Sequence, residues 1–311
     1  MELRHESVLL EECIEGLNIR PDGVYVDATL GGGGHSWAIC QRLDEQGILI
    51  GIDQDDYALD RAKQRLAQVS CRTVFVRDNF QHMDAILSEY APQNVDGILL
   101  DLGVSSFQLD DAQRGFSYHQ PAKLDMRMDT RQEKSAYHVV NEYAPSDLER
   151  IIYRFGEEKF AKRIAAFIVR ARNDGPIETT TQLSEIIKSA IPAKFRREGP
   201  HPARRTFQAI RIEVNRELDI LEETIEAAVQ HLKPGGRLAI ITFHSLEDRI
   251  VKNKFKELHD PCTCPPDFPV CRCEKKPVVS ILTRKPIIAG EEELEVNGRS
   301  RSAKLRIVEK Y

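Results

Sequence analysis

No apolar run in this chain approaches the roughly 20 residues that cross a bilayer. The opening Met1-Glu-Leu-Arg-His-Glu6 carries no secretory pattern. Both absences lead to the expectation of a cytoplasmic protein with no membrane partner. Excess positive charge is missing too: 44 Lys and Arg stand against 49 Asp and Glu, a net charge of −5. That excludes a protein coated generally in nucleic acid, so any such contact must come from a local patch. What is present, 41% apolar and 30% charged residues over 311 positions, suffices for one large domain or two modest ones.

The stretch Val24-Tyr-Val-Asp-Ala-Thr-Leu-Gly-Gly-Gly-Gly-His35 reads as a strand running into a loop stripped of side chains, Gly31 to Gly34. Backbone N–H groups in such a loop can close on a ligand. Neither register completes Gly-x-Gly-x-x-Gly, since Ser36 or Trp37 takes the third position. With no Gly-Lys-Ser/Thr either, a triphosphate cradle is disfavoured and a nicotinamide dehydrogenase comes last among enzyme readings. A second strand, Gly47-Ile-Leu-Ile-Gly-Ile-Asp53, ends in an acid 18 residues beyond His35. An acid there is placed to hold a ribose hydroxyl pair, and an adenosine-bearing ligand is expected.

Strands are expected at 24–28, 48–52, 73–77 and 97–101, with amphipathic helices between, such as Asp56–Val69. This alternation argues a parallel sheet with helices on both faces and ligands at the carboxyl ends of the strands. Asp27, Asp53, Asp78 and Asp101 all fall at those ends. From about Leu109 the pattern turns helical. A capping box is read at Ser146–Glu149, with helices over Glu157–Arg172, Thr181–Ile191 and a long one over Thr206–His231. Strand character returns at Arg237–Phe243, Val278–Thr283 and Ala303–Val308, the last two as an antiparallel pair. Ser245-Leu-Glu-Asp248 also has a capping-box shape. The expected organisation is a discontinuous α/β domain, 1–108 and 207–311, interrupted by an inserted helical domain, 109–206.

Seven cysteines are unevenly spread. Cys13, Cys40 and Cys71 read as small buried hydrophobes. Cys262, Cys264, Cys271 and Cys273 form two Cys-x-Cys pairs among prolines. In a reducing compartment four clustered thiols point to metal before disulfides, although zinc more often takes Cys-x-x-Cys. A structural zinc and a metal-free loop of reduced thiols both stay open.

A parallel α/β sheet ending in an antiparallel hairpin, with a glycine loop after its first strand, resembles the class I S-adenosylmethionine-dependent methyltransferases. Lys233-Pro-Gly-Gly236 is similar to the turn those enzymes place before their fifth strand. Five longer strings narrow the resemblance: Asp101-Leu-Gly-Val-Ser-Ser-Phe-Gln108, Arg114-Gly-Phe-Ser117, Leu124-Asp-Met-Arg-Met-Asp129, Arg205-Thr-Phe-Gln-Ala-Ile-Arg211 and Phe243-His-Ser-Leu-Glu-Asp-Arg-Ile-Val251. Together they are similar to the ribosomal RNA small subunit methyltransferase H family over nearly the whole chain. The resemblance implies a class I fold with a helical insertion, and S-adenosylmethionine as cofactor. It implies N4-methylation of a cytidine in the decoding region of 16S rRNA, with 16S rRNA or the small ribosomal subunit as partner. It carries cofactor contacts onto Gly33, Gly34, His35, Asp53, Phe80, Asp101 and Gln108, and leaves the cysteine cluster accessory.

Amine methylation needs an acceptor for an amine proton, and Asp101 is the candidate catalytic residue. Many amino-methyltransferases place Asp/Asn-Pro-Pro-Tyr/Phe after strand four; this chain has Asp101-Leu-Gly-Val-Ser-Ser106 instead. The residues that clamp the base are therefore left open. Arg127 with Asp125 and Asp129 either shapes a base pocket or forms an ion-paired surface loop. His244 is a candidate for substrate contact. Lys194, Arg196, Arg197, Arg204 and Arg205 stand against Glu198 in a segment that either grips RNA phosphates or is simply solvated. Two other readings stay open: a methyltransferase of another amine, in DNA or protein, and a ribosome-assembly factor that binds the cofactor without essential catalysis.

Overall fold

The order of seven strands places the site before any side chain is considered. The computed structural model describes residues 7–196, 201–265 and 272–311. Its strands are β1 (Val24–Asp27), β2 (Ile48–Asp53), β3 (Arg72–Arg77), β4 (Val95–Asp101), β5 (Leu232–Thr242), β6 (Val279–Ile281) and β7 (Lys304–Lys310). They form one sheet in the order β3-β2-β1-β4-β5-β7-β6. The first five are mutually parallel, and β7 lies antiparallel between β5 and β6. The parallel order and the closing antiparallel β7 are the arrangement expected from the resemblance to class I methyltransferases. The chain reverses direction across the sheet at β1, between β2 and β4, and that switch point opens a crevice at the carboxyl ends of the strands.

β2 and β4 are continuous apolar runs because both faces are covered. Val26, Ile50 and Ile98 face one layer with Met83, Leu87, Ile225, Val229 and Phe255. Their neighbours Tyr25, Leu49 and Leu99 face the other with Leu9, Leu17, Ile39 and Leu305. Cys13, Cys40 and Cys71 are buried in that second layer, as small apolar fillers. β5 starts earlier than Arg237: Leu232 pairs with Val95, and the register shifts before Arg237 pairs with Gly97. The Lys233–Gly236 turn is thus an irregularity within the strand. Buried Asp96 secures it, accepting the Val24 N–H at 2.9 Å and Lys233 Nζ at 2.7 Å.

The chain separates into two compact units, Met1–Gly103 with Leu218–Tyr311, and Val104–Glu217. The second is helical, with its own core of Leu124, Val140, Ile151, Ile164, Ile168, Leu183, Ile187, Phe207, Ile210 and Val214. Its C-terminal border lies beyond 206 because the helix Arg204–Asn215 spends its apolar face in that core, and its N-terminal border lies at Val104, which packs against the same core.

Four local expectations are corrected. The helix expected over Thr206–His231 is two, Arg204–Asn215 and Leu221–His231, broken at Arg216 with φ 54°. Asn215 ends the first by bonding outward, giving its amide to the Met126 carbonyl and accepting the Met128 N–H, each at 2.8 Å. Glu157–Phe160 is not helical; Glu157 closes the helix Pro145–Gly156 at φ 46°, and the next runs Ala161–Asn173. Ser146 caps nothing, since Pro145 already occupies the first turn behind Ala144. The capping box after β5 sits one residue earlier than Ser245, on His244 and Glu247. Among the described residues no helix is long and apolar enough to cross a membrane.

Candidate active site

The loop after β1 is stitched to both neighbouring strands. The Ala28 N–H donates to the Leu99 carbonyl at 2.9 Å and the Leu30 N–H to Ile52 at 3.0 Å. Leu30 is buried against Leu59 and Ala62, which pins the loop on its inner side. Gly31 (φ 50°) and Gly33 (φ 73°) then take left-handed backbone, where a Cβ is strained. Gly33 caps the helix Gly34–Cys40, and its N–H donates to Leu30 at 2.8 Å.

The four acids at the strand ends are not equivalent. Asp27 is only 1% exposed. It accepts Ser36 Oγ at 2.7 Å and the Thr29 N–H at 3.2 Å, so it braces the loop from within and leaves the rim. Burial raises its pKa. Asp78 accepts the Asn79 N–H and lies 2.7 Å from His82 Nδ1. Asp53 and Asp101 end β2 and β4, the two strands that flank β1, at the carboxyl edge of the sheet.

Asp53 accepts the Gly31 N–H on Oδ2 at 2.8 Å and the Asp55 N–H on Oδ1 at 2.9 Å. Burial pushes its pKa up to about 6 against those two bonds. Each carboxylate oxygen keeps a further lone pair, enough for a pair of hydroxyl donors.

Asp101 donates its N–H to Thr29 Oγ1 at 2.6 Å. Its Oδ2 lies 3.7 Å from His35 Nδ1, too long for a hydrogen bond. Its Oδ1 is shielded from solvent and accepts no hydrogen bond among the described residues. Burial pushes this pKa also to about 6; His35 opposes, while Asp27 and Glu247 add to it. His35 is buried, and its Nε2 donates to the Val8 carbonyl at 2.9 Å, which fixes the ring with Nδ1 toward Asp101.

Phe80 follows Asn79 after β3 and is half-buried against the sheet layer. Asn79 Nδ2 donates to Gln54 Oε1 at 2.8 Å, so the loops after β2 and β3 are tied together. Gln108 belongs to the helical unit. There Oε1 accepts the Ser105 N–H at 3.0 Å in the capping box of the helix Ser106–Asp110.

Glu247 was missed by the sequence reading. It is 2% exposed, and its Oε2 accepts the N–H groups of Phe243 (2.8 Å) and His244 (3.2 Å) at the carboxyl end of β5. The signal was the acid three residues after His244. Asp248 instead faces Lys304 and Arg306, at 3.0 and 2.7 Å. Burial raises its pKa, but those two cations outweigh burial and hold it low.

In the helical unit, Arg127 grips Asp125 at 2.9 and 2.7 Å and the Thr130 and Gln132 carbonyls. Arg131 holds Asp129 at 2.8 Å. The string therefore forms an ion-paired loop. In the basic segment, Arg205 donates to the Glu157 carbonyl at 3.0 Å, and Lys159 Nζ lies 4.3 Å from the Phe195 ring centre. Arg197 and Glu198 lie outside the described residues. Cys262, Cys264 and Cys273 are brought together, and Cys271 lies outside the described residues.

A family described as MraW methylase matches residues 2–311. The chain belongs to the MraW methylase family. It is 60% identical over 310 residues to a protein of Clostridium botulinum (strain Loch Maree / Type A3) named ribosomal RNA small subunit methyltransferase H, covering 100% of both chains. Proteins of that name from Lachnospira eligens and Clostridioides difficile (strain 630) are 58% and 57% identical over 310 residues, covering 100% of this chain and 98% and 100% of theirs.

The resemblance to that family implies S-adenosylmethionine as cofactor. The residues present fit it. Asp53 offers paired acceptors beside a bare glycine loop, and Asp101 Oδ1 is a shielded acceptor that calls for an N–H or cationic partner.

Proposed function

We propose that this methylase transfers the methyl group to the N4 amine of a cytidine in the decoding region of 16S rRNA, acting in the cytoplasm on that RNA or the small ribosomal subunit. The observation that carries this reading is Asp101 Oδ1: a carboxylate oxygen at the carboxyl end of β4, shielded and without a donor among the described residues. The names of relatives at 57–60% identity support the RNA substrate.

When bound, S-adenosylmethionine supplies an electrophilic methyl on a sulfonium. The work of the chain is alignment, which provides much of the acceleration for an in-line displacement. Asp53 accepts the ribose hydroxyls, and Gly33, Gly34 and His35 line the loop that receives the adenosine. Phe80 flanks the adenine. A cytosine N4 lone pair is delocalised into the ring, so the amine is a weak nucleophile. Asp101, ionised at neutral pH, accepts an amine N–H and turns the lone pair out of conjugation. It then takes the proton as the N–C bond forms. Lys194, Arg196, Arg197, Arg204 and Arg205 hold phosphates of the substrate while the base is presented unpaired.

Mass spectrometry of rRNA nucleosides from cells with and without the gene tests the reading. Loss of N4-methylated cytidine on deletion, restored by wild type and not by Asp101→Asn, is expected. Unchanged N4-methylation would overturn it. A subunit-assembly defect that Asp101→Asn rescues fully would assign the chain to assembly.

A further inference from the structure

The segment between the helix Ser245–His259 and β6 gathers thiols that the cofactor crevice does not use. The Sγ atoms of Cys262, Cys264 and Cys273 all lie within 4.8 Å of one another. Cys262 and Cys273, eleven residues apart, have sulfurs separated by 3.8 Å, and neither forms a disulfide. Thiolates at about 2.3 Å around a tetrahedral zinc ion stand about 3.8 Å apart along each edge. The Arg272 N–H donates to Cys264 Sγ at 3.2 Å, the kind of outer donor that orients and stabilises a metal-bound thiolate.

We propose that Cys262, Cys264 and Cys273 hold a structural zinc ion. Zinc in structural sites takes four ligands; Cys271, the fourth cysteine of the motif, lies outside the described residues.

The place in the fold makes the ion structural. The helix Ser245–His259 starts at the carboxyl end of β5 and runs back along the sheet. β6 begins where Val279 pairs with Lys310. That end of β7 lies against the start of the Arg237–Thr242 stretch of β5, where Arg237 pairs with Glu309. The thiols therefore sit at the amino ends of the parallel strands, opposite Asp53 and Asp101. Both ends of the segment are anchored: the Val278 N–H donates to the Leu258 carbonyl, and His259 Nδ1 to Val279, each at 2.9 Å. Among the described residues between them there is neither helix nor strand. A metal held by Cys262, Cys264 and Cys273 closes that stretch as a disulfide would, by removing freedom from the open chain.

The full chain, purified reduced and stripped by chelator, is titrated with cobalt(II) and then zinc(II). One equivalent of cobalt should bring up thiolate charge-transfer bands and the strong visible bands of a tetrahedral ion, and one equivalent of zinc should erase them. Zinc loading should shield Cys262, Cys264 and Cys273 from iodoacetamide, read residue by residue by mass spectrometry. Cys262→Ser with Cys273→Ser should abolish the cobalt spectrum while S-adenosylmethionine affinity stays within about twofold, because the ion lies at the other end of the sheet. No tetrahedral cobalt spectrum from the reduced wild-type chain would overturn the proposal. So would a double variant that keeps the full spectrum, or unchanged alkylation of the three thiols on zinc loading.

Discussion

Asp53 Oδ2 accepts the Gly31 N–H at 2.8 Å, so the acid that ends β2 and the glycine loop that follows β1 are one hydrogen-bonded piece. The acid both shapes the loop and stands at the carboxyl edge of the sheet. Changing it alters the cradle as well as an acceptor.

Replacing Asp53 with Ala should therefore weaken S-adenosylmethionine binding by at least the worth of a hydrogen bond to a charged group, about 1.5–3 kcal/mol. Hydrogen exchange at Gly31 should speed up in the same variant. Titration calorimetry giving wild-type affinity would remove Asp53 from the site.

Asp101→Asn keeps the shape at the end of β4 and removes the basic oxygen. Turnover measured at saturating S-adenosylmethionine should fall by about 10²-fold or more, the usual range for a lost general base. Recovery of the wild-type rate once the cofactor is saturating would reduce Asp101 to a cofactor contact.

The pKa values of Asp53 and Asp101, both raised by burial to about 6, predict pH dependence with a definite sign. Activity should rise through about pH 6 and then level, as both acceptors ionise. Stability responds in the opposite sense. The folded chain holds these protons between roughly pH 4 and 6 while the unfolded chain has released them, so this pair's contribution declines as pH rises through that window. Urea midpoints across pH 4–7 should show Asp53→Asn flattening that decline. A variant with the wild-type slope would mean that Asp53 titrates normally.

Asp96 lies at the amino ends of the strands, away from the cofactor crevice. Asp96→Ala leaves the Val24 N–H without its acceptor and Lys233 without its partner. It should cost about 1.5–3 kcal/mol of stability with cofactor affinity intact. A loss of affinity without a loss of stability would contradict this placement.

For the basic segment, Lys194→Ala with Arg196→Ala should weaken RNA binding across sequences. The slope of log affinity against log salt should flatten by about 0.7 per lost phosphate contact on single strands. Cofactor affinity should not move. An unchanged salt slope with intact RNA affinity would return both side chains to the solvent.

Local pattern alone determined the first four strands, the glycine loop and the closing antiparallel pair. Strands covered on both faces are continuous apolar runs, and a bare glycine run cannot be mistaken for helix. The acids after β1, β2, β3 and β4 looked alike in sequence. Only tertiary structure turned Asp27 inward onto Ser36, gave Asp78 to Asn79 and His82, and left Asp53 and Asp101 at the crevice. The reason is that a carboxylate's role is set by which donors the neighbouring loops bring to it. The cap on the helix after β5 moved from Ser245 to His244 for a similar reason: where a strand stops depends on its partners, and the cap follows the stop. The apparent long helix broke at Arg216 because Phe207 and Ile210 serve one core while Ile225 and Val229 serve another, a division invisible to periodicity. Eleven residues of sequence separate Cys262 from Cys273, and only the anchored return from the helix Ser245–His259 to β6 brings their sulfurs to 3.8 Å.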